Sequence, residues 1–201
     1  MIRTPSEAHP GKMEPLARLP VFLALEGKRA VVAGGSAAAA WKAELLSAAG
    51  ARVEVYAETP SDELLQIASD PPRGEIAVNR RGWTAADVVG AAVAIGAFND
   101  DDGAAAFAAA ARAAGVPVNV IDKPAFCNFA FGAIVNRSPL VIGISTDGAA
   151  PVFAQAIRAK LESLLPKGFA DWAAAAALPP ATTARLPSSA SNTGSRASGR
   201  Q

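Results

Sequence analysis

From residue 21 onward the chain alternates short apolar runs with stretches of helical pattern. Residues 29–33 read as a first strand, and residues 37–49 as a helix with Trp41, Leu45 and Ala48 on one face, stopped by Gly50. A second strand is predicted over 52–57, a short helix over 61–68 and a third strand over 75–78. Residues 91–95 give a fourth strand. The segment 103–114 is nearly all alanine, the strongest helix former, and 116–121 is the fifth strand. Strands and helices alternating at this spacing imply βαβ units on a parallel sheet. Right-handed crossovers make that an α/β fold, a Rossmann-like doubly wound layer structure.

After Pro124 the rhythm changes. Residues 129–135 and 140–144 are two β-like runs joined by the turn-like Asn136-Arg-Ser-Pro139. A helix is expected over 151–165, with Val152, Ala156, Ala159 and Leu164 among its buried candidates. A strand pair plus one helix cannot cover itself, so it must pack on the first domain or on a second subunit, and a homodimer is the economical expectation. Beyond residue 177 the text becomes LPPATTARLPSSASNTGSRASGRQ, whose scarcity of large apolar residues predicts a disordered tail. The expected organisation is a flexible leader over 1–18, the Rossmann-like domain over 19–123 and a dimerisation region over 124–150. A helical segment over 151–177 and the tail over 178–201 follow.

Composition narrows the function. Hydrophobic residues make up 51% of the 201, enough for a real core. Lysine and arginine number 19 against 18 acids. That balance argues against nucleic acid as a partner, and Arg80-Arg81 reads as a solvated loop. One cysteine excludes an intrachain disulfide. Cys127, between Phe126 and Asn128, reads as a small buried hydrophobe, because no histidine is near to activate it. The single histidine, His9, lies in a Pro-rich leader, so a transition-metal cage has no ligands. The N-terminal residues lack the apolar core of a signal peptide, and no run has the length and flanks of a membrane span. A cytoplasmic location without a membrane partner is expected.

The first strand runs straight into Ala33-Gly-Gly-Ser-Ala-Ala-Ala-Ala-Trp41. A dinucleotide fingerprint asks for G-x-G-x-x-G or a terminal alanine between a strand and a helix. The frame here is Gly34-x-Ser36-x-x-Ala39, with serine where the backbone should approach the pyrophosphate. The helix start offers free N–H groups and a positive dipole end to a phosphate, so Gly34, Gly35, Ser36, Ala37 and Ala38 are candidate cofactor ligands. A merely tight strand-to-helix turn is the alternative. Glu58, just past the second strand and followed by Thr59, fits the acid that holds ribose hydroxyls. An acid there favours NAD over NADP, since a 2′-phosphate would be repelled. Glu54 is mid-strand and reads as facing elsewhere. Two other chemistries fail. Short-chain dehydrogenases use a tyrosine with a lysine four residues on, but the only tyrosine is Tyr56 and Pro60 stands four beyond it. A serine hydrolase lacks its histidine.

The stretch VPVNVIDKPAFCNF over 116–129 delivers a carboxylate, Asp122, to the end of a buried strand. In an open α/β sheet ligands collect outside those ends. On the residues alone Asp122 reads as a turn cap before Pro124, and the position leaves open what else an acid at that edge would do.

Several pieces together resemble one family: Leu19-Pro-Val-Phe-Leu23, the Gly-Gly-Ser loop with Trp41-Lys42, Asn99-Asp-Asp-Asp102, Val118-Asn-Val-Ile-Asp122 and Cys127-Asn-Phe129. Asn136-Arg-Ser-Pro-Leu140 and Ile144-Ser-Thr-Asp-Gly148 complete the set. The chain resembles the precorrin-2 dehydrogenase and sirohydrochlorin ferrochelatase family, the N-terminal half of bacterial siroheme synthases, over about residues 16–175. The resemblance implies NAD-dependent oxidation of precorrin-2 to sirohydrochlorin, then insertion of ferrous iron, in a homodimer. It maps the catalytic aspartate onto Asp122, as the base for the oxidation and a transient ligand for iron. The many carboxylates of such a tetrapyrrole call for basic and hydrogen-bonding groups, with Arg137 first, then Lys123 and Lys42. Asn119 and Asn128 flank the acid, and Ser145 and Thr146 lie before the last helix. Departures are Ser36 in place of the family's usual glycine, and Asp147 and Ala149 in the Ser-Thr-Asp-Gly loop. The family's longer helical module is expected to be shortened after Phe169-Ala-Asp-Trp172, and the methyltransferase half of fused synthases to be absent. A non-catalytic NAD-binding or redox-sensing module is the alternative.

Overall fold

A computed structural model of the chain describes residues 14–148, 150–165 and 168. Most of the expected leader, with His9, the expected tail, Ala149 and Trp172 lie outside the described residues. Two compact units divide the chain between Gly132 and Ala133, and Asp147 and Gly148 belong to the first.

The first unit is built on β1 (Arg29–Ala33), α1 (Ala37–Ala48), β2 (Arg52–Tyr56), α2 (Asp62–Ser69) and β3 (Glu75–Asn79). It continues through α3 (Ala85–Val88), β4 (Val93–Gly96), α4 (Asp101–Ala113) and β5 (Val118–Val120). The five strands form one parallel sheet in the order β3-β2-β1-β4-β5. Val32 pairs with Val55 on one side and Ile95 on the other, so β1 is the central strand. The chain winds out to β3 and returns to β4, and strand order reverses between β1 and β4. These are the expected layers.

Both faces of the sheet are covered, as parallel strands require. Val32, Val53, Val55 and Ile95 pack with Ala39, Ala43 and Leu46 of α1 and Leu64 of α2. Val31, Ala94, Val118 and Val120 pack on the other face with Val88 of α3 and Ala104, Phe107, Ala108 and Ala111 of α4. The buried positions of α4 follow the i, i+3, i+4, i+7 rule. Its one large core side chain, Phe107, meets Trp83 edge-on at 5.0 Å and Phe98 at 5.4 Å between ring centroids.

The face expected for α1 is corrected. Trp41 is 54% exposed, Ala48 is exposed and Leu45 only half-buried, while the sheet-facing stripe is Ala39, Lys42, Ala43 and Leu46. Ala39 and Ala43 let the helix lie close to the strands, where an indole ring would not fit, and Leu46 packs into the same core. The four-residue α3 was not foreseen; it has no apolar period to betray it and starts where Asp87 accepts the Thr84 N–H at 2.7 Å.

The second unit contains an antiparallel pair, β6 (Ala133–Arg137) and β7 (Leu140–Ile144), and α5 (Pro151–Leu164). The expected strand over 129–135 begins late, because Phe129 and Phe131 bury against the first unit's α1-side core. Asn136 closes the hairpin turn by accepting the Ser138 N–H at 2.9 Å. Ala154 and Val135 are buried, but Val152 (84% exposed), Phe153 (61%) and Leu164 (64%) are not, and Ala156 and Ala159 are also exposed. The expected burial of Val152, Ala156, Ala159 and Leu164 is thus not met within this chain. No helix among the described residues is long and apolar enough to cross a membrane.

A methyl group at Gly34 would lie 2.5 Å from the Ala97 carbonyl oxygen, at a φ of +116°. Gly34→Ala should therefore lower stability by about 1–3 kcal/mol, read as a reduced denaturation midpoint in urea.

Candidate functional site

The carboxyl ends of the strands bring the β1–α1 turn, the residues after β2 and the turn after β5 to one edge. The β1–α1 turn is tied down on three sides. Gly34 N–H donates to the Tyr56 carbonyl at 2.9 Å, Ala97 N–H to the Ala33 carbonyl at 2.8 Å and Ser61 N–H to the Gly35 carbonyl at 2.8 Å. A Cβ on Gly35 would sit 2.6 Å from the Thr59 carbonyl oxygen, so glycine is required for this close approach. Ser36 is the N-cap of α1, its Oγ accepting the Ala39 N–H at 3.3 Å. Helix geometry leaves the N–H groups of Ala37 and Ala38 without an intrahelical acceptor. Both residues and Ser36 are exposed. This arrangement fits a phosphate group: free donors, a positive helix end and no side chain in the way. Glu58 stands two residues past β2 with its carboxylate exposed, and the backbone of Thr59 backs the glycine turn.

The turn after β5 is equally determined. Ile121 N–H reaches the Gly96 carbonyl at 2.8 Å, and Asp122 then takes a left-handed conformation with φ of +59°. Aspartate is one of the few side-chain-bearing residues that enters this region readily. Pro124–Phe126 follow as a single 3-10 turn, which takes no side-chain cap hydrogen bond. Among the described residues no hydrogen bond reaches the exposed Asp122 carboxylate, so it does not cap the turn.

The thiol of Cys127 fastens this turn instead. Its Sγ accepts the Val120 N–H at 3.2 Å and lies 3.3 Å from the carbonyl oxygens of both Val120 and Lys123. Cys127 packs partly buried against the α4-side core, as a small hydrophobe would, and adds hydrogen bonds that the sequence did not suggest. Asn119 and Asn128 build the turn too. Asn119 is buried and donates to the Phe129 carbonyl at 2.9 Å, and Asn128 accepts the Val118 N–H at 3.2 Å through Oδ1. Lys123 forms an ion pair with Asp101 at the start of α4.

Lys42 departs most from expectation. It does not reach out as a surface cation but is 7% exposed on the inner stripe of α1. Its Nζ lies 3.8 Å from the Phe131 ring centroid and 4.1 Å from that of Trp41. Burial pushes its pKa down to about 8, although the negative Asp122 works in the opposite direction. The 39, 42, 43, 46 spacing could have placed Lys42 on the buried face; the ring cage of Trp41 and Phe131 left no such sign.

Arg137, Ser145 and Thr146 belong to the second unit. The Arg137 guanidinium, expected to bind substrate, instead donates to the Leu165 carbonyl at 2.7 Å and approaches that of Glu162 at 3.4 Å, closing the end of α5. A cation there suits the negative end of the helix.

On the α3 face, Glu54 accepts from Arg29 Nε at 2.9 Å and from the Tyr56 hydroxyl at 2.8 Å. Burial opposes its ionisation, yet these two donors hold its pKa below the usual carboxylate value. Arg81, read as solvated, forms a two-pronged pair with Asp87 at 2.7 and 2.8 Å and lies over the Tyr56 ring. This cluster is structural.

A family model described as putative NAD(P)-binding matches residues 21–133, and one described as the central part of a sirohaem biosynthesis protein matches residues 137–164. The siroheme synthase of Pseudomonas putida (strain W619) is 46% identical over 159 residues, covering 79% of this chain and 34% of that protein. The siroheme synthase of Ectopseudomonas mendocina (strain ymp) is 43% identical over 155 residues, covering 77% and 32%. The chain thus spans about a third of the length of these relatives. Among solved structures, SirC, precorrin-2 dehydrogenase, superposes with a TM-score of 0.59 at 24% identity, covering 78% of this chain and 76% of that one. That last likeness is one of fold.

Because Ser36 acts as a cap, Ser36→Ala should cost about 1 kcal/mol and Ser36→Gly only a few tenths, measured by urea denaturation. Dinucleotide affinity, measured by calorimetry, should stay within a few-fold in Ser36→Gly.

Proposed function

The chain belongs to the putative NAD(P)-binding family, and from that premise we propose that it is an NAD-dependent precorrin-2 dehydrogenase, producing sirohydrochlorin in siroheme biosynthesis. One observation carries the reading: an exposed, uncapped carboxylate, Asp122, held in a left-handed turn at the ligand edge of a sheet whose β1–α1 turn is built for a dinucleotide. Oxidation of the macrocycle removes a hydride and a proton. NAD, when bound, supplies the hydride acceptor. The chain's own residues do the rest. The N–H groups of Ala37 and Ala38 hold the pyrophosphate, and the Glu58 carboxylate accepts from ribose hydroxyls while repelling a 2′-phosphate, which selects NAD over NADP. Asp122 takes the proton, a role in which a positioned base contributes typically 10²–10⁴-fold in rate.

The reading extends to insertion of ferrous iron as a second reaction. No group of three or more His, Cys, Asp or Glu among the described residues forms a metal cage. Iron would therefore be a substrate, met transiently by the Asp122 oxygens as the pyrrole protons leave. The apolar residues left bare on α5 support a homodimer, in which a second copy covers Val152, Phe153 and Leu164. A cytoplasmic location goes with this reading.

Purified protein supplied with precorrin-2 and NAD should yield NADH together with the absorption spectrum of sirohydrochlorin. Cofactor binding without any oxidation would support the non-catalytic module instead. Asp122→Asn, nearly isosteric, should abolish oxidation with NAD affinity within a few-fold; normal turnover by that variant would end the proposed mechanism. In sedimentation experiments Phe153→Glu should convert a dimer to a monomer.

A further inference from the structure

The doublet Arg80-Arg81, which opens the loop after β3, is divided by the fold into two roles. Arg81 is taken up by structure. Its guanidinium pairs with both Asp87 oxygens at 2.7 and 2.8 Å, lies 4.6 Å from the centre of the Tyr56 ring and donates to the Gly82 carbonyl at 2.9 Å. Its backbone is fixed as well. The Asn79 carbonyl accepts the N–H groups of both Ala57 and Arg81, at 3.0 and 2.8 Å. The loop is therefore held firmly where it leaves the sheet.

Arg80 shares none of this. It is exposed and enters no ion pair among the described residues. Register sets its place. Asn79, the last residue of β3, is the partner of Tyr56, the last residue of β2. Arg80 thus leaves the ligand edge one strand over from Ala57, beside the segment that carries Glu58. The two segments meet, since a Cβ on Gly82 would lie 3.5 Å from Oε1 of Glu58. On the α3 face of the same strands, opposite charges are paired, Arg29 with Glu54 and Arg81 with Asp87. Glu58 and Arg80 are not.

An open acid and an open guanidinium on adjacent segments suit one kind of ligand end: an adenosine, whose ribose presents hydroxyl donors and whose base presents a flat π face. The carboxylate accepts from the hydroxyls. A guanidinium plane stacks on an aromatic face, and its weak hydration makes that contact cheap. The same group is a two-pronged partner for phosphate. It would hold the 2′-phosphate that Glu58 repels.

We propose that Arg80 forms the adenosine end of the dinucleotide site and makes, with Glu58, a two-residue selector. The arginine favours the purine of either cofactor, and the acid alone keeps the 2′-phosphate form out. The inference deepens the cofactor reading of this edge and rests on it. One consequence separates it from a simple acid filter. Once Glu58 is neutralised, Arg80 becomes a phosphate ligand and the preference inverts. Were Arg80 only a solvated charge, neutralising Glu58 would remove a repulsion and add no attraction.

The test is calorimetric titration of the full chain with NAD, NADP and adenosine 2′,5′-bisphosphate. Physiological ionic strength screens charges that make no contact. Binding is the readout, so turnover is not needed. Arg80→Ala should weaken NAD binding about two- to fivefold, the size of an exposed cation–π contact, with the urea denaturation midpoint unchanged. Glu58→Gln should bind NADP and the bisphosphate about tenfold or more tighter than the wild type does, as a hydrogen-bonded charge pair gives. Glu58→Gln combined with Arg80→Ala should lose that gain.

A gain for NADP in Glu58→Gln that is equally large with and without Arg80 overturns the proposal. So does an Arg80→Ala protein that binds NAD as tightly as the wild type. These outcomes leave the cofactor reading standing, because the wild type still binds NAD. A wild type that binds neither dinucleotide sinks the cofactor reading, and the selector with it.

Discussion

Parallel strands deliver all their carboxyl ends to one edge, and everything functional in this chain follows from how that edge is closed. The reversal of strand order between β1 and β4 opens a gap there. The backbone of Gly34 closes its floor, pressed so near Ala97 that no side chain fits. That contact fixes where α1 begins, and the start of α1 fixes both the exposed donors of Ala37 and Ala38 and the inward direction of Lys42. The neighbouring strand β5, paired to β4, places Asp122 on the same edge.

Much of this was legible in the sequence, because parallel strands buried on both faces read as unbroken apolar runs and the helices between them are rich in alanine. The doubly wound parallel sheet and the glycine turn follow from those patterns. The errors have physical causes. In α1 the apparent apolar face was led by Trp41, the largest side chain, whereas packing against a sheet selects small ones. Residues 129–132 look like a strand because they are aromatic and apolar, but Phe129 and Phe131 serve as a cover for the α1-side core. Arg137 lies within the Asn136-Arg-Ser-Pro-Leu140 motif and reads from sequence as a ligand. Its partners, the carbonyls of Glu162 and Leu165, are more than twenty residues away and invisible to local patterns.

The charged groups sort by how well they are satisfied. Glu54, Arg29, Arg81 and Asp87 have strong partners and hold α3 and the ends of β1 and β2 together. Asn119, Asn128, Cys127 and Lys123 are likewise engaged in shaping the β5 turn. At the ligand edge, by contrast, no hydrogen bond or ion pair among the described residues closes off the Asp122 and Glu58 carboxylates, and the amides that open α1 stay exposed. A structural role satisfies a polar group, while a chemical role leaves it open.

The cap supplied by Ser36 has a kinetic side as well. Its hydroxyl occupies the Ala39 amide, while Gly34, Gly35 and Ala97 are already bonded to the surrounding strands and loop. A phosphate approaching the Ala37 and Ala38 amides therefore meets a turn whose own backbone groups are already paired. Preorganisation of this kind removes the entropic penalty that a floppy phosphate loop would impose.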